Sequence, residues 1–312
     1  GSRIASYSLP TSVVFIVMIE SCEMEKAAAL LDDTLAGDLD NDSLVFAIQC
    51  CNFWKNTLPQ LEQSGYFERG ETLVNQWKQF MQLASREDGK QERTLYAFRK
   101  GIFSLALEFY GKASDEKDDK LHSEICRKKG LCYKKLGSYE VALKCLTEAN
   151  TSVPGQSSVM AEMADCYALC GETKYAKLLF KEAFFIDAQK IDLDFLDSQL
   201  ITLLVKKVSE KGYSGAVLQE WIPVYGVLFG VFTVKRKLRS QEVLGLKQEI
   251  FAKKSELKDP NNNSSVIIPR LMNLYFWLID HYQLSKDSVS KINDVMLEIR
   301  TLDPAVYKIF VQ

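Results

Sequence analysis

Histidine is almost absent from this 312-residue chain, which carries only His122 and His281, so a histidine-rich zinc centre is excluded. Proline and glycine are sparse, at 7 and 16 residues, which argues for long helices over many tight turns. The longest apolar run, Trp221 to Val234, covers 14 residues and contains Pro223, too short for a spanning helix. No transmembrane segment and no signal peptide is therefore expected in this stretch. Net charge is also lacking: 39 basic residues against 41 acidic ones leave −2. There is then no overall field to hold nucleic acid or an anionic bilayer, and any charged partner must meet a local patch.

The eight cysteines are Cys22, Cys50, Cys51, Cys126, Cys132, Cys145, Cys166 and Cys170, with no C-x-x-C among them. A secreted disulfide framework would be denser for its length. Cys166 and Cys170 lie one helical turn apart, but two thiolates do not fill a tetrahedral metal site. Cysteine acting as a nucleophile needs a base in reach, and neither histidine falls in such a motif. The expected reading is small buried side chains in a reducing, cytoplasmic compartment, with no metal and no cofactor.

What is present is the make-up of a folded protein, 47% apolar, 26% charged and 11% aromatic. Gly1 and Ser2, without a methionine, read as the scar of a cleaved tag on a fragment of a longer chain. Sliding the chain against itself by 34 residues aligns 123–156 with 157–190. Gly130, Tyr133, Gly137, Ala142, Leu146 and Ala149 then face Ala164, Tyr167, Gly171, Ala176, Phe180 and Ala183. Small residues let two antiparallel helices approach, larger ones fill the space beside them, and Gly137 and Gly171 suit the turn between.

This pattern resembles the tetratricopeptide repeat, which implies an all-α, right-handed superhelical solenoid of helix hairpins. A third unit is assigned at 87–122, with Gly101 at its turn and Ala106, Tyr110 and Ala113 on its second helix. The expected order is a scar at 1–2, diverged hairpins at 3–86, three repeats at 87–122, 123–156 and 157–190, and diverged helical repeats at 191–312. Helices are expected at Leu44–Leu58, Glu71–Ala84, Leu193–Lys211, Ser214–Phe232, Gln241–Leu257, Pro269–Tyr282 and Ser288–Leu302, with a flexible loop at 258–265.

Catalytic signatures are missing: no phosphate-binding loop, no H-E-x-x-H and no G-x-S-x-G occurs. Asp187, Asp192, Asp194 and Asp197 read as helix caps, as do Asp38, Asp40, Asn41 and Asp42, which lack the glycine and distant glutamate of a calcium loop. The chain is thus expected to be a scaffold or adaptor, not an enzyme. In tetratricopeptide proteins the first helix of each hairpin lines a concave groove that holds a partner segment. Carried onto this sequence, that implies partner-binding positions at Leu95, Phe98, Arg99, Glu124, Arg127, Lys128, Leu131, Lys134, Lys135, Glu162 and Asp165. The middle unit is basic, which suits a protein or peptide partner with acidic residues beside an apolar anchor. Members that clamp a C-terminal carboxylate use Lys and Asn, and no Asn stands at these positions, so that subclass is not expected.

Charge is also unevenly placed. From Arg3 to Gln60 acidic residues lead 8 to 3, and from Lys235 to Lys258 basic ones lead 8 to 3, which suggests self-association through opposite ends. The chain from Gly212 onward, with Trp221-Ile222-Pro223-Val224-Tyr225-Gly226, resembles the helical repeat regions of spirochaete periplasmic flagellar collar proteins. That resemblance implies an assembly subunit of a bacterial envelope machine, in the periplasm. A third possibility is the substrate-recruiting arm of an enzyme whose catalytic domain lies outside this stretch.

Overall fold

The computed structural model describes residues 10–85, 91–113 and 117–312. Within them the protein is all-α, with fifteen α-helices and no strand. They fall into two compact units that divide between Ser152 and Val153, near the end of the first matched repeat.

In the first unit α1 (Thr11–Glu20), α2 (Met24–Leu35), α3 (Asp42–Thr57), α4 (Tyr66–Ala84), α5 (Glu92–Lys112), α6 (Asp119–Lys135) and α7 (Tyr139–Ser152) pack mostly on their neighbours in the chain. Asn41 starts α3 by accepting the Leu44 N–H at 3.2 Å, and its own amide donates to Asp38, so this acidic turn is a cap. The core is aromatic: Trp54, Trp77, Phe80, Phe98 and Phe103 meet through ring centroids 5.0–6.3 Å apart.

The hairpin α6–α7 follows the expected pattern. Gly137 takes φ +80° at the turn, where a side chain would be strained. Gly130 lies at the helix crossing, where a Cβ would come within 2.7 Å of Leu146 Cγ. Ala142, Leu146 and Ala149 are fully buried.

The expected repeat at 87–122 is different, although 87–90 and 114–116 lie outside the described residues. Its 92–112 portion is one continuous helix, α5, that runs straight through Gly101. Gly101 is not a turn; a Cβ there would come within 2.5 Å of the Ile19 carbonyl oxygen, because α1 crosses α5 at this point. Its small size serves a crossing between helices far apart in sequence, which a one-dimensional pattern cannot tell from a turn.

In the second unit α8 (Ser157–Leu169) and α9 (Thr173–Asp187) form the second matched hairpin, with Gly171 at φ +84°. Next come α10 (Gln199–Ser209), α11 (Gly215–Leu228), α12 (Ser240–Lys258), α13 (Ser264–Leu284), α14 (Val289–Leu302) and the short α15 (Pro304–Phe310). The helix expected from Leu193 begins only at Gln199; residues 191–198 make a single 3-10 turn and then extend. The helix expected to reach Phe232 stops at Leu228, and residues 233–239 cross without regular structure. Pro223 and Pro269 both sit inside helices that are buried there, α11 and α13. The asparagine loop shortens to 259–263, with Asn263 capping α13 through the Ser265 N–H.

α11 packs on α13 as well as on α10, and the segment 233–239 is held by charge. Lys181, 4% exposed, pairs with Asp280 at 2.6 Å, donates to the Val234 carbonyl at 2.9 Å and lies 5.0 Å from the Trp277 ring centroid. Arg236 forks onto Glu182 and reaches Glu242 at 3.0 Å. The bond from Arg236 is the main reason the Glu242 carboxyl falls to about 2. Arg270 binds Glu249 at 2.7 Å. The basic run from Lys235 is therefore built partly into the packing.

Candidate functional site

The residues expected to line a groove are mostly covered. Phe98 is fully buried and packs 5.4 Å from Phe80; Leu131 is 1% exposed. Lys128, Lys134, Lys135, Glu162 and Asp165 are buried as well. Leu95, Arg99, Glu124 and Arg127 are half-buried.

Several of these side chains have defined work inside the fold. Arg127 forks onto Glu124, three residues back on α6, at 2.9 and 2.5 Å. Burial pushes the Glu124 carboxyl up, but the bond and charge of Arg127 outweigh it and hold the group below its ordinary value. Lys128 pairs at 3.3 Å with Glu71 of α4, which also accepts the Tyr110 hydroxyl at 2.6 Å. Burial, then the Glu71 charge, pushes that phenol far up. Arg99 lies over the Tyr96 ring, 5.1 Å from its centroid. Asp165 accepts the backbone N–H groups of Asp197 and Ser198 at 2.8 and 2.9 Å, fixing the extended stretch that leads into α10. These charges recur every three or four residues because they sit on packed helix faces, and pairing makes their burial tolerable. A solvated concave face would show the same spacing.

Cysteine follows the expected pattern in part. Cys50, Cys51, Cys126, Cys132 and Cys166 are buried, Cys22 and Cys145 are half-buried, and Cys170 is exposed. Burial pushes the thiols of Cys22 and Cys51 up to about 12, so both stay protonated and weakly reactive.

An open cleft occurs on the second unit. Helices α12, α13 and α14 enclose a cleft of about 440 Å³. Leu257, Ile268, Leu271 and Leu302 give it an apolar lining, and Tyr275 and Thr301 add hydroxyls. Lys254 and Lys258 stand at its rim, with Lys254 paired to Glu298 at 3.2 Å. Tyr275 donates to the other oxygen of Glu298 at 3.4 Å, and burial, then the Glu298 charge, raises its phenol. Ile268, Leu271 and Tyr275 come together because they repeat at i, i+3 and i+7 along α13, and Leu257 and Lys258 close the end of α12. Sequence reasoning marked the basic end of α12 and the loop after it but not this cleft. The available signal was that apolar repeat lying directly beyond a lysine cluster.

A second cleft, of about 330 Å³, holds Glu220 with Glu249, Lys253 and Arg270. Burial raises the Glu220 carboxyl, and Gln189 bonds only one of its oxygens at 2.9 Å.

Among the described residues no helix is long and apolar enough to cross a membrane. No family model and no curated protein matches this chain.

Proposed function

We propose that this chain is a non-enzymatic scaffold of tetratricopeptide type, its hairpins forming a superhelical solenoid, and that it holds a partner segment in the α12–α14 cleft. The observation that carries this reading is an apolar cleft of about 440 Å³ bordered by Lys254 and Lys258. Such a lining takes a leucine- or phenylalanine-sized anchor, and the lysines suit carboxylates on either side of it. The occupant is therefore an acidic segment with an apolar anchor, the partner chemistry expected from the sequence, met at a different place.

The test is fluorescence anisotropy with short labelled peptides carrying Leu, Phe or Trp between glutamates, beside versions with lysine for glutamate. Saturable binding of the acidic set, weakened about tenfold or more by Lys258→Glu and by added salt, supports the proposal. Equal binding of both sets, or no effect of Lys258→Glu, overturns it.

A second reading, an assembly subunit, draws on α12 alone. Leu244 and Phe251, seven residues apart on one face, are 60% and 74% exposed. Sedimentation across a concentration series would show self-association that Phe251→Glu abolishes; a monomer throughout removes this reading.

A further inference from the structure

Three donor side chains of different chemistry converge on the α6–α7 hairpin. His122 and Cys126 stand one turn apart on α6, and Glu148 faces them from α7. His122 Nε2 lies 2.9 Å from Glu148 Oε1 and 3.5 Å from Cys126 Sγ, and all three donor atoms fall within 4.8 Å of one another.

The arrangement separates two chemistries. In a nucleophile relay the thiol and the orienting carboxylate use opposite nitrogens of the imidazole. Here both approach the same nitrogen, Nε2, so the carboxylate cannot orient the ring from behind while the thiol uses its front. Convergence of S, N and O on one point is instead what coordination requires. With Zn–N near 2.0 Å and Zn–S near 2.3 Å, neighbouring donors in a tetrahedron sit about 3.5 Å apart.

We propose that His122, Cys126 and Glu148 bind one divalent transition-metal ion, with zinc favoured by the thiolate and imidazole donors. On binding, the Cys126 thiol loses its proton to solvent, and the thiolate and carboxylate together balance the 2+ charge. Cys126 is 5% exposed, whereas the side chains of His122 and Glu148 are 29% and 59% exposed, so an ion can enter from solvent. Because the donors come from both helices, the ion would also tie α6 to α7 at the end of the hairpin opposite Gly137, where Ser123 Oγ already donates to the Ala149 carbonyl at 2.9 Å.

Cobalt(II) titrated into the whole chain, kept reduced, tests this. The expected result is a thiolate-to-cobalt charge-transfer band that saturates at one equivalent, disappears in Cys126→Ser, and needs at least about tenfold more cobalt in Glu148→Gln. Zinc should raise the melting temperature of the wild type and not of Cys126→Ser. Glu148 is mostly exposed, so Glu148→Gln tests the site even if Cys126→Ser does not fold. A folded wild type with no band, a band that survives in Cys126→Ser, or a titration unchanged in Glu148→Gln overturns the proposal.

Discussion

Hairpin α6–α7 and the assembly α11–α13 are both dense helical packings, but they are specified over different distances. In the hairpin the crossing and the turn are set within one repeat: Gly130 faces Leu146, and Gly137 makes the turn. In the C-terminal assembly the determinants are far apart, with Lys181 bonded to Asp280 and to the Val234 carbonyl, and Arg236 to Glu182. Local packing leaves a periodic trace in the sequence, and long-range ion pairs leave none.

The largest effect should fall on the long-range side. Lys181→Ala leaves Asp280, at 15% side-chain exposure, only Lys235 at 3.8 Å and removes the donor of the Val234 carbonyl, and a loss of about 3 kcal/mol is expected in chemical denaturation of the transition that includes α9 and α13. Next come the crossings. Gly101→Ala and Gly130→Ala should each cost about 1–3 kcal/mol, and Gly101 more, because its added methyl meets the backbone of α1 most closely whereas that of Gly130 meets the Leu146 side chain first. Equal losses would show that α1 yields as easily as a side chain. Gly137→Ala, a turn defect alone, should cost about 1–2 kcal/mol.

The smallest effects are in pH dependence and have opposite signs. Glu242 is held at about 2, below its ordinary 4.5, so its contribution is complete above 4.5 and is lost as pH falls towards 2. Glu242→Gln should therefore flatten the acid loss of thermal stability. Glu220 is raised, so the folded state favours its protonated form and stability falls as pH rises above 4.5. Glu220→Gln should raise the melting temperature at neutral pH, with the gain vanishing at acid pH; a lower melting temperature at neutral pH would show that the carboxylate is satisfied when charged.

The same distinction explains what could be read beforehand. The all-helical class, both matched hairpins and their glycine turns were legible, because 34-residue spacing and small residues at crossings are local signals. In the unit expected at 87–122, Gly101 is not the turn, because a glycine that admits a distant helix has the same sequence signature as one that turns the chain. Residues 193–198 read as helix because their apolar content carries no sign that Asp165 holds the backbone at Asp197 and Ser198 extended. For the site, residue type and spacing on α6 were visible, but burial of Lys128, Lys134 and Lys135 was not, since a packed face and a solvated groove share one periodicity. The cleft went unseen because its lining joins three helices whose contacts no single segment encodes.

Hydrogen exchange of the whole chain with and without a saturating acidic, leucine-anchored peptide tests the scaffold reading most directly. Protection gained at 254–258, 268–275 and 298–302, and lost with Lys258→Glu, is the predicted result. Protection confined to other helices, or none at saturating peptide, would contradict it.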